Sequence, residues 1–285
     1  MTTKEINCTL STEQLKELGE PVAYFTVEIP KDVKNIGKCT EDSKGWHPVM
    51  QAVCLEPKQG KLIASDTYIL YTASVKCSGT WPKADNNKPF QCFIDSKAIR
   101  DLAGKTVDIA VWTDENNHQK VTACEISGVL AQHTIKTGNL FPDWQRVMPK
   151  EHNAIINIDP ESVRNLRKFV KDNMGKTKKE REERYVVIHC TPEADNMQVR
   201  IVYENGEEIA VTYADLTGIQ DPNYIQQCYN AELFYYSIQE DFSGEISFVD
   251  DMRPATFRGE SRISILMPKY HNVFGSYMTT ENPGK

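Results

Sequence analysis

Apolar and polar positions along the chain fall into many short runs of period two and a few stretches of helical period. Residues 1–20 are polar, with a weak helical pattern at Leu10, Leu15 and Leu18, and read as a peripheral extension. Residues 24–29 alternate as a strand does. Pro30 opens a short helix over 31–38, where a first-turn proline is tolerated, with Val33 and Ile36 turned inward. Strands are expected over 49–55, 61–64, 69–75 and 90–94, separated by Lys58-Gln59-Gly60, by Ser65-Asp66 and by a loop over 78–89 rich in Pro, Asn and Lys. Asp95 caps an expected short helix that runs to Leu102. Further strands follow over 107–112, 120–126 and 129–135, ending at Asn139-Leu140-Phe141-Pro142-Asp143-Trp144.

The pattern then restarts. Residues 154–158 read as a strand. Asp159-Pro160-Glu161 combines an N-cap, a proline at the first helical position and an acid in the first turn. Val163, Leu166, Phe169 and Val170 give that helix its apolar face. After a charged loop come strands over 185–190, 198–203 and 208–213. Asn230 caps a second helix over 231–239, and strands over 245–249, 255–258 and 262–267 close the unit. Each half thus runs strand, helix, several strands, helix, several strands. That order predicts a duplicated α+β fold, two sheet-rich units with a boundary near residues 150–153.

The 285 residues are enough for two domains, and 40% hydrophobic with 26% charged residues is ordinary for a globular chain. No run of about 18 apolar residues is present, which argues against a membrane-spanning helix. Residues 1–5 carry no signal-peptide core, so the chain is expected in the cytoplasm. Eight scattered cysteines include no Cys-x-x-Cys pair, so they are expected as reduced core residues, and neither a metal nor a redox cofactor is expected.

Catalytic patterns are missing. Gly175-Lys176-Thr177 resembles the end of a phosphate loop, but Val170 stands where that loop needs glycine, and a helix precedes it. The six histidines form no His-x-x-x-His or Cys/His cluster, and Asp250-Asp251 reads as a solvated turn. No catalytic residues are assigned, and an unrelated hydrolase is disfavoured.

Charge says more. The net charge is −7, yet the window from Arg164 to Arg184 holds nine basic residues against four acids. Within it, Arg164, Arg167, Lys168 and Lys171 lie away from the apolar face of their helix. Such a face suits phosphate contact without base reading. A solvated helix face with a charged loop is the alternative.

At this point the residues resemble a family. Residues 140–149, Leu-Phe-Pro-Asp-Trp-Gln-Arg-Val-Met-Pro, are similar to the Phe-Pro-Asp-Tyr-x-x-Val-x-Pro motif of the bacterial DNA polymerase III beta subunit, the sliding clamp. His47-Pro48-Val49-Met50 with Leu62-Ile63-Ala64-Ser65-Asp66 resembles an earlier strand pair and Ala-Thr-Asp turn of that family. Glu207-Glu208-Ile209-Ala210-Val211, Tyr229-Asn230-Ala231-Glu232-Leu233 and Ile265-Leu266-Met267-Pro268 resemble successive features of its last domain. The match runs in order from about residue 22 to 270.

The resemblance implies two tandem DNA-clamp domains, 21–150 and 151–271, after an extension over 1–20 and before a tail over 272–285. Each would have antiparallel sheets outside and two helices on the inner face. It implies a non-enzymatic processivity factor that encircles double-stranded DNA and tethers a DNA polymerase, with other clamp-binding-motif proteins and a clamp loader as further partners. The implied DNA-facing residues are Lys31, Lys34, Lys38, Lys97, Arg100, Arg164, Arg167, Lys168 and Lys171. The helix over 231–239 carries no Lys or Arg and includes Glu232, so it is expected to contribute little.

The family has three such domains per chain and closes as a dimer. This chain has room for two, so a head-to-tail homotrimer is expected, with an open monomer or dimer that never encircles DNA as the alternative. The family's pocket for short apolar peptides maps to Met50, Leu70, Pro149, Ile265, Leu266, Met267 and Pro268. Its Asp-Gly-His-Arg-Leu turn reads Asp66-Thr67-Tyr68-Ile69-Leu70 here, which leaves pocket shape and partner choice open. The tail, with Val273, Phe274, Tyr277 and Met278, is expected across or beside that pocket. The competing function is a clamp-derived interaction protein that binds clamp partners without encircling DNA.

Overall fold

The alternation of the first strand is kept in the computed structural model. In β1 (Ala23–Glu28), Ala23, Phe25 and Val27 are buried while Tyr24 and Thr26 stay half-exposed. The structure describes residues 20–41, 47–83, 89–113, 118–124, 130–136, 140–191, 196–215, 225–239 and 241–269. The chain divides into two units, Met1–Trp144 and Gln145–Lys285. The division falls inside the 3-10 turn Trp144–Val147, after its first residue, a few residues ahead of the boundary read from the sequence.

In unit 1, β1 is followed by β2 (Ala52–Glu56), β3 (Lys61–Ser65), β4 (Ile69–Ser74), β5 (Lys76–Thr80), β6 (Cys92–Asp95), β7 (Thr106–Thr113), β8 (His118–Cys124) and β9 (Leu130–Lys136). They pair antiparallel in the orders β5-β1-β7-β8-β9 and β4-β3-β2-β6. Unit 2 holds β10 (Ala154–Asn157), β11 (Arg184–Thr191), β12 (Asn196–Tyr203), β13 (Glu208–Asp215), β14 (Ile225–Asn230), β15 (Phe242–Phe248), β16 (Ala255–Gly259) and β17 (Arg262–Leu266). Their orders are β10-β15-β16-β17 and β13-β12-β11-β14, again antiparallel.

With β5 set aside, the eight strands of each unit count out identically. The first pairs with the sixth, followed by the seventh and eighth, and the fourth, third, second and fifth make the other sheet. The helices fall at matching places. One follows the first strand (3-10 helix Lys31–Cys39 in unit 1; α2, Pro160–Asn173, in unit 2). The other follows the fifth (α1, Ile99–Leu102; α4, Ala231–Ser237). Within each unit the two helices touch. The duplication inferred from element order is therefore present in the strand topology.

Local chemistry accounts for each helix. Residues 31–39 repeat with period three: Val33, Ile36 and Cys39 are buried, Lys31 and Lys34 exposed. A 3-10 helix eclipses residues three apart, so this pattern suits it better than an α-helix. Gly37 allows the helix to close on the turn before α1, because a Cβ there would sit 1.9 Å from the Ser96 carbonyl oxygen. Helix α2 starts as expected, with the Asp159 carboxylate accepting from the Glu161 and Ser162 N–H groups. Asn230 caps α4 in the same way. Phe234 of α4 packs edge-on to Phe257 at 5.6 Å and stacks near Tyr229 at 6.0 Å, which fixes α4 on its sheets.

Several expectations need correction. Residues 48–51 form a 3-10 turn, Pro48–Gln51, and not the start of a strand. The helix expected from Asp95 exists as α only over Ile99–Leu102; the Asp95 carboxylate accepts from the Lys97 and Ala98 N–H groups in the turn before it. Strand β5 runs into the expected 78–89 loop. The loop after α2 holds a short helix, α3 (Lys178–Glu182), and β14 precedes α4. The extension over 1–19 and the tail from 270 onward lie outside the described residues.

Candidate nucleic-acid interface

Helix α2 carries its charge in a defined geometry. Val163, Leu166 and Val170 are buried. One residue further round, Arg164, Lys168 and Lys171 are exposed, and Arg167, closest to the apolar stripe, is half-buried. The spacing i, i+3, i+4, i+7 puts these four cations on one face. Among the described residues, no carboxylate lies within 4 Å of the Arg164, Lys168 or Lys171 head groups. Lys168 and Lys171 also sit in the C-terminal half, where the helix dipole favours cations.

The adjoining stretch behaves differently. Lys178 pairs with Glu182 and Lys179 with Glu183, each at 3.7 Å. Arg181 reaches Glu232 of α4 at 3.1 Å and donates to the Lys176 carbonyl at 2.8 Å. Arg184 donates to the Asn173 carbonyl at 2.8 Å and lies over the Tyr203 ring, 5.0 Å from its centroid. Thr177 and Glu180 form a reciprocal capping box, so Gly175-Lys176-Thr177 starts a helix and cradles no phosphate. Hydrogen bonds from the Lys176 and Thr177 backbone hold the Glu180 carboxyl below its ordinary range. Glu232, expected to weaken α4 for DNA contact, is the anchor of this stretch and also accepts from the Tyr236 hydroxyl at 2.8 Å.

In unit 1, Lys31, Lys34 and Lys38 are all exposed on the 3-10 helix. Lys97 is exposed in the turn and Arg100 on α1. Gly37 brings the 3-10 helix and the turn before α1 together, so these cations belong to one neighbourhood of unit 1.

The residues matched to the peptide pocket differ in exposure. Met50 and Leu70 in unit 1 are buried, as are Ile265 and Leu266 in unit 2. Pro149 and Pro268 are half-exposed, and Met267 is 41% exposed. Beside Leu70, the Asp66 carboxylate accepts from the Tyr68 and Ile69 N–H groups at 2.9 and 2.8 Å, and burial raises its pKa. Thr67 takes φ 79°, a left-handed conformation costly for a β-branched residue. Tyr68 projects into solvent.

The Phe-Pro-Asp-Trp segment has a structural role that the sequence did not show. Phe141 is buried and its N–H donates to the Gln91 side chain at 2.9 Å. Gln91 in turn donates to buried Glu56 at 2.7 Å, and the Trp144 indole donates to the other Glu56 oxygen at 3.4 Å. Two buried polar side chains on β2 and just before β6 thus fasten the end of unit 1.

Five of the cysteines behave as core residues. Cys39, Cys54, Cys92, Cys190 and Cys228 are buried, and burial pushes the Cys190 thiol up to about 12 and the half-exposed Cys77 up to about 11. Among the described residues, no group of three or more His, Cys, Asp or Glu side chains is placed to hold a metal, and no helix is long and apolar enough to cross a membrane.

Two repeats of this strand order, each with a helix pair, define the DNA-clamp fold. Solved structures similar to this chain include bacterial ones. The beta subunit from DNA polymerase of Streptococcus pyogenes matches with a TM-score of 0.60 and 14% identity, covering 88% of this chain and 66% of that one. The Helicobacter pylori beta clamp bound to a DNA ligase peptide and the DNA polymerase III subunit beta from Pseudomonas aeruginosa both match with a TM-score of 0.62, 14% identity and 88% coverage of this chain, against 67% and 68% of theirs. This chain therefore spans about two thirds of the length of the clamp chains it matches. No protein-family model matches the sequence, and no curated protein matches it.

Proposed function

We propose that this chain is a sliding-clamp-type processivity factor, a protein with no chemistry of its own that keeps a DNA polymerase on duplex DNA. One observation carries the reading: the long helix of a clamp-type fold presents Arg164, Lys168 and Lys171 to solvent without a carboxylate beside them. Open cations attract phosphates and read no bases, and water-mediated contacts let a duplex move past them. The exposed Lys31, Lys34, Lys38, Lys97 and Arg100 in unit 1, with Arg167 at the margin in unit 2, complete the proposed DNA-facing set. In this reading the clamp domains are 21–150 and 151–271, their sheets form an outer wall, and their helices line the hole.

Three copies joined head to tail give six domains, a heterologous contact that closes on itself. Strand β13 is suited to one side of that contact. It is the edge of its sheet, and Val211 and Tyr213 on one of its faces are 40% and 62% exposed. A Helicobacter pylori clamp structure holds a DNA ligase peptide. We assign a corresponding capture of short apolar peptides from a polymerase and other partners to Met50, Leu70, Pro149, Ile265, Leu266, Met267 and Pro268, with Met267 as the most accessible. A loader would open the ring, and the work would be done on DNA in the cytoplasm of a bacterial or phage-infected cell.

The test is charge reversal of Arg164, Lys168 and Lys171 together. The expected result is loss of DNA-dependent stimulation of polymerase with an unchanged circular dichroism spectrum. Undiminished stimulation would point instead to an interaction protein that binds clamp partners without threading DNA. Light scattering should give the mass of three chains, and a monomer at high concentration would rule out encirclement.

A further inference from the structure

Strand β5 is an addition to the repeat. Unit 2 has the same strand order without it, and among the described residues no strand of that unit pairs with the outer side of β10. It also adds little to the core, since Lys76, Ser78, Gly79 and Thr80 are exposed. Yet it is held closely. Gly79, at φ 146°, approaches β1 so nearly that a Cβ would stand 2.5 Å from the Phe25 Cα. Just beyond, Trp81 meets Phe25 edge-on with ring centroids 5.8 Å apart.

Beside β5 lies an open cavity of about 450 Å³, lined by Lys58, Trp81, Pro82, Lys83 and Phe90. Two aromatic rings and a proline make its walls, two exposed lysines stand at it, and among the described residues none of those lining it is acidic. Among the described residues, neither Lys58 nor Lys83 has an ion-pair partner. On a chain of net charge −7, such a slot selects a ligand that is both apolar and anionic.

We propose that β5 and this cavity form a docking site for an extended segment of a partner protein, one with a large apolar side chain flanked by carboxylates. As the edge of its sheet, β5 offers main-chain groups to an added strand. The apolar side chain enters between Trp81, Pro82 and Phe90, and the flanking carboxylates meet Lys58 and Lys83. The free strand edge favours a peptide over a single-stranded nucleic acid, which would use the aromatic rings and lysines but not the strand. The site lies wholly in unit 1 and shares no residue with the DNA-facing or apolar-peptide sets, so it stands or falls separately from encirclement.

The indole N–H signals of the ¹⁵N-labelled full chain test this. The Trp81 signal is assigned by its loss in Trp81→Phe. The chain is titrated with the synthetic peptide Glu-Asp-Val-Phe-Asp-Glu, with its charge-reversed form Lys-Arg-Val-Phe-Arg-Lys, and with a short oligothymidine. The Trp81 signal should move with the acidic peptide only, and Lys58→Glu with Lys83→Glu should weaken binding by about tenfold or more. The proposal is overturned if the Trp81 signal ignores the acidic peptide, if both peptides move it equally, or if oligothymidine moves it while the peptide does not.

Discussion

Residues 164–171 and 176–184 look alike as strings of lysine and arginine, and the fold puts them to opposite uses. On α2, Arg164, Lys168 and Lys171 share a face, and neither acid of the helix, Glu161 or Asp172, comes within ion-pair distance of them. In the next stretch, acids at 180, 182 and 183 stand within reach of the cations, and Glu232 of α4 takes Arg181. Arg164, Lys168 and Lys171 remain open to an outside anion. The second stretch is spent on capping, on ion pairs and on Tyr203. Available charge depends on where the acids fall on the helix turn and on what packs alongside, and a net count over the window hides the distinction.

That contrast can be broken at several strengths. The largest effect should come from Arg164→Glu, Lys168→Glu and Lys171→Glu combined. Affinity for a duplex at low salt should fall about a thousandfold, and the slope of log affinity against log salt should shrink by about three. Fluorescence anisotropy at several salt concentrations measures both, and an equal loss from Lys178→Glu with Lys179→Glu would erase the contrast. Next, Arg184→Ala removes a hydrogen bond to Asn173 and the contact over Tyr203. It should cost about 2 kcal/mol in urea unfolding and leave duplex affinity within about twofold. Outside both stretches, Thr67→Gly relieves a left-handed β-branched residue and should raise stability by about 1 kcal/mol with no change in DNA affinity.

The smallest effect is a shared pH response. Asp159 and Glu180 cap α2 and α3, and hydrogen bonds hold both carboxyls below their ordinary values of 3.8 and 4.5. Between the folded and ordinary values the unfolded chain binds more protons, so stability rises with pH there. Both contributions are present above the ordinary values and lost as pH falls through the folded ones. Amide protection factors at Glu161 and Ser162, and at Lys176 and Thr177, should fall together on acidification, and protection that persists at the lowest pH would contradict the capping roles.

The sequence made α2 legible because its cap, proline and apolar spacing agree, and the first helix because Val33 and Ile36 mark one side. The missed elements lack that agreement. β5 reads Lys-Cys-Ser-Gly-Thr and buries no face fully, so no alternation announces it. β14 is buried from Ile225 to Tyr229 but carries Gln226 and Gln227. The latter is satisfied by donating to the Asp250 and Arg253 carbonyls, contacts that no local pattern encodes. For α3 the capping box Thr177 to Glu180 was a visible signal, masked by the charge around it. The four cations of α2 could be grouped from spacing, but the locking of Arg181 and Arg184 depends on Glu232 and Tyr203, distant in the chain.

The link from Glu56 through Gln91 to Phe141 and Trp144 has a practical side. Every group in it belongs to the first half of the polypeptide, so a gene cut after codon 144 severs none of its bonds. A truncated product ending there keeps its own clasp, which gives a natural place to dissect the molecule or to graft its halves onto other scaffolds.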